Sequence, residues 1–213
     1  MIKGVIFDID GVLLDSLVIW NDLGARYLIS LGIEPEEGLN EILFSMSMEE
    51  GAEYLEKNYS SGKNKAEILS GIQKMLEDFY FYEVNAKNGA LNLMKAFEDK
   101  GIPMVAATSS PREHVTRALG RNGLLDYIKK IYTSSEVGSS KSSPDIYNAA
   151  SEYLGTKPDE TYVFEDSLYA LITAKKAGYK TVGVYDELGE PDQDGMKENS
   201  YIYVKDLTEF NLQ

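Results

Sequence analysis

Cysteine is absent from the 213 residues, and His114 is the only histidine. The absence of cysteine excludes a disulfide framework, a cysteine zinc site, an iron–sulfur cluster and a thiol nucleophile. It also fits a reducing compartment, and we expect a cytoplasmic protein. With a single histidine, acid–base or metal chemistry must rest on carboxylates, hydroxyls, lysine or a metal ion.

Basic residues are scarce as well, because 21 lysines and arginines face 35 acidic residues, for a net charge of −14. Such a chain repels nucleic acid and anionic membranes. No stretch reaches the ~18 apolar residues of a membrane-spanning helix. Asp8, Asp10 and Asp15 interrupt the apolar N-terminal run, which is therefore not a signal peptide. We expect a soluble protein without nucleic-acid or membrane partners, as a monomer or weak homodimer.

Hydrophobic periodicity divides the chain into two kinds of structure. A buried strand is predicted at 2–9, and the pattern then stays helical from Ser16 to about Tyr82. From Gly89 onward, short apolar runs alternate with amphipathic helices, which indicates a parallel sheet with helices on both faces. We predict an α/β fold: a three-layer, doubly wound parallel-sheet core of residues 1–15 and 83–213, with an inserted helical domain of residues 16–82.

Chemically reactive side chains follow four of the predicted strands. Open parallel sheets place their sites at the carboxyl ends of strands. The residues expected there are Asp8, Asp10 and Gly11, then Thr108, Ser109 and Ser110, then Lys141, and finally Glu165 and Asp166. So many acids would repel one another without a cation, and hard oxygen ligands suit Mg²⁺. Thr108, neighbouring amides and Lys141 would hold an anion beside the metal, which predicts a site for a phosphoryl group.

The same residues carry a family resemblance. Asp8-Ile9-Asp10-Gly11-Val12, Thr108, Lys141 with Pro144-Asp145, and Glu165-Asp166-Ser167 resemble the four motifs of the haloacid dehalogenase superfamily. The first motif alone is a weak signal, but four motifs in order at successive strand ends are a strong one. The resemblance covers nearly the whole chain and is greatest to the branch of β-phosphoglucomutase and small phosphatases, in which the helical insertion is a cap.

The resemblance implies a role for each motif residue. Asp8 would be the nucleophile that forms an aspartyl-phosphate, and Asp10 the general acid and then the base. Asp8, the main-chain carbonyl of Asp10 and Asp166 would hold Mg²⁺, with Glu165 touching the metal or one contact removed from it. Transferring phosphoryl oxygens would be bound by four residues, Gly11, Thr108, Ser109 and Lys141. Dehalogenase members lack the second aspartate, so Asp10 favours phosphate chemistry.

Departures from the pattern bear on the choice between a phosphatase and a mutase. In mutase members the position of Trp20 is a histidine that assists proton transfer, and the position near Met48 is an arginine that grips a second phosphate. No arginine lies between Arg26 and Arg112 here. We therefore predict Mg²⁺-dependent hydrolysis of a small phosphomonoester, a sugar phosphate or similar metabolite. The alternatives are a sugar phosphomutase and a non-catalytic binding protein on the same fold.

Simpler structural interpretations stand beside several of these assignments. Glu165 and Asp166 are also suitable caps for the following helix, Lys141 alone is usually a solvated lysine, and Thr108 is a suitable turn hydroxyl. Trp20 fits either the helix core or a substrate contact. The segment Ser110-Pro111-Arg112-Glu113 predicts a capping box with proline at the first helical position.

Overall fold

The computed structural model describes residues 1–44 and 46–212. Its chain divides into two compact units, one of Met1–Ser16 with Val84–Gln213 and one of Leu17–Glu83. We call the first the core unit and the second the cap unit, and describe each by itself.

The described part of the core unit forms a six-stranded sheet in which every neighbouring pair is parallel. Its strands are β1 (Gly4–Phe7), β2 (Met104–Thr108), β3 (Ile128–Thr133), β4 (Thr161–Glu165), β5 (Lys180–Val184) and β6 (Ile202–Val204). They lie in the order β3-β2-β1-β4-β5-β6. The order reverses at β1, which is the place where open α/β sheets form a crevice for ligands.

Helices connect these strands. They are α5 (Ala90–Asp99), α6 (Arg112–Arg121), α7 (Ser134–Val137), α8 (Asp145–Leu154), α9 (Leu168–Lys176) and α10 (Gln193–Asn199); the labels α1–α4 belong to the cap unit. The parallel sheet with connecting helices confirms the predicted fold class. The sequence pattern did not predict α7 and α10.

Alternating residues of β1 enter two different hydrophobic layers. Ile6 belongs to a buried cluster with Ile146 and Tyr147 of α8. Phe7, the next residue, packs on Phe97 of α5, with ring centroids 6.1 Å apart. Successive side chains of a strand point to opposite faces, so the sheet is covered on both sides, as the three-layer prediction requires. Asp8, one residue further, is directed toward the side of α8.

The regular structure in the described residues of the cap unit is helical. It contains α1 (Leu17–Ser30), α2 (Leu39–Phe44), α3 (Met48–Asn58), α4 (Lys65–Asp78) and a π-helical turn (Phe79–Glu83). Two capping boxes set helix starts: Ser47 with Glu50 begins α3, and Asn64 with Glu67 begins α4. Each box satisfies amide groups that the first turn of a helix leaves without an intrahelical partner.

Within the core unit, the segment that ends at Ser16 pairs with the segment that begins at Val84. The amide of Asp15 donates to the carbonyl of Asn85, and the amide of Lys87 donates to the carbonyl of Leu13, both at 2.9 Å. Leu14 and Ala86 form an antiparallel bridge between these bonds. These contacts hold the two segments of the core unit together on either side of the inserted residues 17–83.

Candidate active site

Asp8 and Glu165 lie side by side because their strands are in register. Phe7 of β1 pairs with Phe164 of β4, and the Asp8 amide donates to the Phe164 carbonyl at 2.9 Å. The next residues, Asp8 and Glu165, are therefore neighbours at the carboxyl edge of the sheet, on the side of α8. Both side chains are buried.

Lys141 connects the two acids. Its ammonium lies 2.5 Å from Oδ1 of Asp8 and 2.7 Å from Oε1 of Glu165. Only 3 % of Lys141 is exposed. Lysines are mostly exposed to solvent, so the interpretation of Lys141 as a solvated surface lysine is wrong. The cation is supplied by the segment preceding α8, the helix that packs on β1 and β2.

Three carboxylates form a buried cluster at this edge. Asp8, Glu165 and Asp166 each offer one oxygen, and these oxygens lie within 4.8 Å of one another. Oε1 of Glu165 is bonded, whereas its buried Oε2 has no hydrogen-bond partner among the described residues. A buried carboxylate oxygen without a donor is costly, and a divalent cation would satisfy it. The donor set, all oxygen, fits Mg²⁺.

Burial and mutual repulsion shift the pKa values of this cluster. Burial raises the pKa of Asp8 well above its ordinary value, although Lys141 opposes the shift. Burial, together with the charge of Glu165, raises the pKa of Asp166 to about 7. Burial alone would lower the pKa of Lys141, but the charges of Asp8 and Glu165 outweigh it and raise that pKa above its usual range. Lys141 therefore stays charged. Its single positive charge does not balance three ionised carboxylates, so the cluster favours binding of a further cation.

Asp10 is held by two hydroxyl groups: that of Ser110, which was expected at this edge of the sheet, and that of Ser16, which was not. Ser16 donates to Oδ1 and Ser110 donates to Oδ2, both at 2.6 Å. The predicted capping box at Ser110 is wrong, because α6 begins at Arg112 behind Pro111 and the Ser110 hydroxyl is directed to Asp10 instead. The predicted metal contact of Asp10, through its main-chain carbonyl, stays a prediction.

Gly11 allows the turn that follows Asp10. Its φ is +73°, a left-handed conformation that glycine adopts without strain. The Gly11 amide donates to the carbonyl of Leu14 at 3.0 Å. The left-handed turn therefore explains the glycine at this position. Its contact with phosphate stays a prediction.

Two hydroxyl groups lie where β2 ends, on its last residue and on the residue that follows. Thr108 is fully buried, and its Oγ1 accepts a hydrogen bond from the Ser110 amide at 3.0 Å. Ser109 is exposed, with its Oγ 3.2 Å from that of Ser134. Thr108 therefore organises the turn as well as being a candidate phosphate ligand.

The helix after β4 is capped from elsewhere. The first amide of α9, at Leu168, donates to Oε2 of Glu190 at 3.2 Å. Glu190, rather than Glu165 or Asp166, therefore caps the start of α9. Glu165 and Asp166 lie in the carboxylate cluster instead.

Trp20 lies on α1 in the cap unit and is 47 % exposed. It lines a largely apolar cavity of about 240 Å³ within that unit, together with Gly24, Leu43, Met48 and Leu55 among others. The predicted contact between Trp20 and a substrate stays a prediction.

The one arginine of the cap unit is engaged in ion pairs. Arg26 contacts Asp22 at 2.8 Å and Glu83 at 3.4 Å. The sequence has no arginine between Arg26 and Arg112, so none lies near Met48 in the chain.

Comparison with known proteins identifies the family. Residues 5–184 match the family model described as haloacid dehalogenase-like hydrolase. The chain therefore belongs to the haloacid dehalogenase-like hydrolases, as its four motifs suggested.

Individual relatives agree with the predicted enzyme class, a phosphatase. A candidate phosphatase of Bacillus subtilis, YhcW, is 30 % identical over 85 % of this chain and 83 % of its own length. Hexitol phosphatase A of Escherichia coli is 28 % identical over 85 % and 82 %. A crystal structure from Thermotoga maritima, described as a candidate β-phosphoglucomutase, matches with a TM-score of 0.85 at 25 % identity, covering 96 % of this chain and 94 % of that one.

Across the described residues, every helix is too short or too polar to span a bilayer.

Proposed function

We propose that this chain is a cytoplasmic, Mg²⁺-dependent phosphatase of small phosphomonoesters, sugar phosphates or similar metabolites, that acts through an aspartyl-phosphate on Asp8. The observation that carries the proposal is the buried cluster in which Lys141 bridges Asp8 and Glu165 beside Asp166. A nucleophilic carboxylate next to a fixed ammonium and a cation site is what attack on a phosphoryl dianion requires. The name of the hexitol phosphatase relative supports a polyol or sugar phosphate as substrate.

The proposed reaction has two steps at phosphorus. An oxygen of Asp8 attacks, the bond from phosphorus to the ester oxygen breaks, and Asp10 gives its proton to the departing alcohol. Water then attacks the aspartyl-phosphate, Asp10 takes a proton from it, and the bond to Asp8 breaks to release inorganic phosphate. Ser16 and Ser110 hold Asp10 for both transfers through their 2.6 Å hydrogen bonds.

Positive charge and hydroxyl donors complete the proposed site. Asp8, Glu165, Asp166 and the carbonyl of Asp10 would hold Mg²⁺, which when bound supplies charge that offsets the phosphoryl oxygens. Lys141 offers a second positive charge within 2.5 Å of the nucleophile, and Thr108 and Ser109 offer hydroxyls. Together, these two positive charges would keep Asp8 ionised, against the raised pKa that burial gives it.

A screen of phosphate release from a panel of phosphorylated metabolites with Mg²⁺ tests the proposal. We expect turnover by the wild type and at least a 1,000-fold loss, roughly, in Asp8→Asn, because an amide is a poor nucleophile and a poor cation ligand. Asp126→Asn, in a surface turn between α6 and β3, is the matched control and should keep full activity. A binding protein without activity would instead retain ligands and release no phosphate.

The mutase alternative is kept because of the likeness to the candidate β-phosphoglucomutase structure. Trp20 offers no proton-transferring group where mutases have histidine. We therefore expect no conversion of β-glucose 1-phosphate to glucose 6-phosphate when the bisphosphate is added as a primer. Conversion faster than phosphate release would favour the mutase over the phosphatase.

A further inference from the structure

Tyr147 of α8 carries a hydroxyl into a largely apolar layer. The residue is fully buried in the cluster that contains Ile6, Val105 and Val163. Phenylalanine would fill nearly the same volume without a polar atom. Burial of a hydroxyl is unfavourable unless it is hydrogen-bonded, so the partner of this hydroxyl explains why tyrosine fits here.

That partner is Glu165. The Tyr147 hydroxyl donates to Oε1 of Glu165 at 2.7 Å, and Lys141 donates to the same oxygen at 2.7 Å. A carboxylate oxygen offers two lone-pair directions, and the two donors occupy both at Oε1. Oε2 is therefore the oxygen that remains for another ligand, and among the described residues it has no hydrogen-bond donor.

Tyr147 is also itself fixed in place. Its ring lies 6.0 Å from that of Tyr179, centroid to centroid, and its backbone belongs to α8, which packs on β1 and β2. A rigid donor restricts rotation of the carboxylate far more than a flexible surface side chain would, because few alternative positions of the hydroxyl exist.

We propose that Tyr147 is a positioning residue, whose hydroxyl holds Glu165 so that Oε2 faces the cluster with Asp8 and Asp166 and is ready to bind the cation. The inference rests on the proposed function, since it assigns the cluster to Mg²⁺. Partners that orient a ligating carboxylate affect metal affinity although they never touch the metal.

Tyr147→Phe tests this, with Tyr179→Phe as the matched control. Tyr179 lies in the same cluster, but its hydroxyl bonds Ser151 and Asn148, at 2.8 and 2.9 Å. Mg²⁺ binding to the substrate-free protein is measured by calorimetry. We expect the Kd for Mg²⁺ to be about 10-fold higher in Tyr147→Phe and unchanged in Tyr179→Phe. In Tyr147→Phe, lost turnover should return at high Mg²⁺ concentration, which a general folding defect would not allow.

The outcomes separate the two proposals. Wild-type protein that binds no Mg²⁺ would overturn both the metal assignment and the role of Tyr147. Wild-type binding with an equal Kd in Tyr147→Phe would overturn the positioning role alone. Should Tyr147→Phe not fold, ¹³C NMR of the wild type decides: the Tyr147 Cζ resonance should move with the Mg²⁺ titration and that of Tyr179 should not, and a Tyr147 resonance that stays fixed would refute the role.

Discussion

The carboxylate of Asp10 lies between the hydroxyls of Ser16 and Ser110, each 2.6 Å from one of its oxygens. An acid that must give and take a proton at fixed positions benefits from such restraint. The hydroxyls reach Asp10 from different segments, since Ser110 follows β2 and Ser16 follows the turn after β1.

Ser110→Ala removes one of these restraints. We expect kcat to fall about 10-fold, part of the 10²–10⁴ that a positioned acid contributes, because Asp10 would adopt other rotamers. Ser110→Thr keeps the hydroxyl and should retain most of the activity. Steady-state kinetics on the best substrate of the panel measures both; equal activity in Ser110→Ala and wild type would show that the hydrogen bond is irrelevant to turnover.

At the scale of single residues, sequence analysis identified the reactive groups at the ends of strands. It did not predict the hydrogen bonds that residues distant in sequence make with them. Asp8, Lys141, Glu165 and Asp166 were identified from motif order, and the structure brings them together; their roles stay predictions. The hydrogen bonds of Ser110 to Asp10 and of Tyr147 to Glu165 were not predicted, because they span 100 and 18 residues. Such contacts follow from strand order and helix packing, which motif spacing does not encode.

Helix starts illustrate what local sequence can and cannot decide. The serine–proline–arginine–glutamate segment predicts a capping box at Ser110, yet that hydroxyl bonds Asp10 instead. In the cap unit, Asn64 does form a capping box: it accepts from the Glu67 amide at 3.1 Å, and the Glu67 carboxylate accepts from the Asn64 amide at 3.0 Å. At Ser110 the difference comes from a tertiary acceptor, the carboxylate of Asp10, to which the hydroxyl donates.

Asn64→Ala removes the cap of α4. The free energy of unfolding should fall by ~1 kcal/mol, because the Glu67 amide loses its acceptor. Asn64→Asp keeps an oxygen at the same position and should leave stability nearly unchanged. Urea denaturation of the three proteins measures the difference; a loss as large in Asn64→Asp as in Asn64→Ala would argue against the capping role.

One of the two helices that sequence analysis overlooked, α10, is short and polar. Its seven residues include Gly195 in the interior, and Met196 is its one buried residue in the structure. Glycine disfavours the helix interior, and a single apolar side chain provides no periodicity. The Asp192 side chain, which accepts from the Gly195 amide at 2.8 Å, and packing of the helix on α9 and β5 stabilise it instead.

For the molecule as a whole, alternation of strand and helix patterns was sufficient to predict the fold class. Parallel strands joined by right-handed crossovers leave few topologies, and the reversal of order at β1 gathers Asp8 and Glu165 at one edge. The exact geometry of the carboxylate cluster could not be predicted, because it depends on the strand register and on how deeply α8 buries Lys141.

The buried acids make the stability of the metal-free protein depend on pH. The pKa of Asp166 rises from 3.8 to about 7 on burial, and that of Asp8 is raised in the same direction. The folded state therefore binds more protons than the unfolded state, and this contribution is lost as the pH rises from about 4 through 7.

We expect the Tm in a chelating buffer to be at least about 3 °C lower at pH 8 than at pH 5.5. Added Mg²⁺ should raise the Tm more at pH 8, because protons compete with the cation for the same carboxylates. Asp166→Asn should flatten the dependence. Differential scanning calorimetry measures all three, and a metal-free Tm that increases over this range would contradict the burial of these acids.

The central claim, a phosphoryl group carried by Asp8, is tested most directly by trapping it. The best substrate of the panel, labelled in its phosphate, is mixed with the protein and Mg²⁺ and quenched in acid within milliseconds. The account predicts a label on the wild-type chain that base or hydroxylamine removes, as expected of an acyl phosphate, and none on Asp8→Asn. Full phosphate release by Asp8→Asn, or an equal label on both proteins, would contradict it.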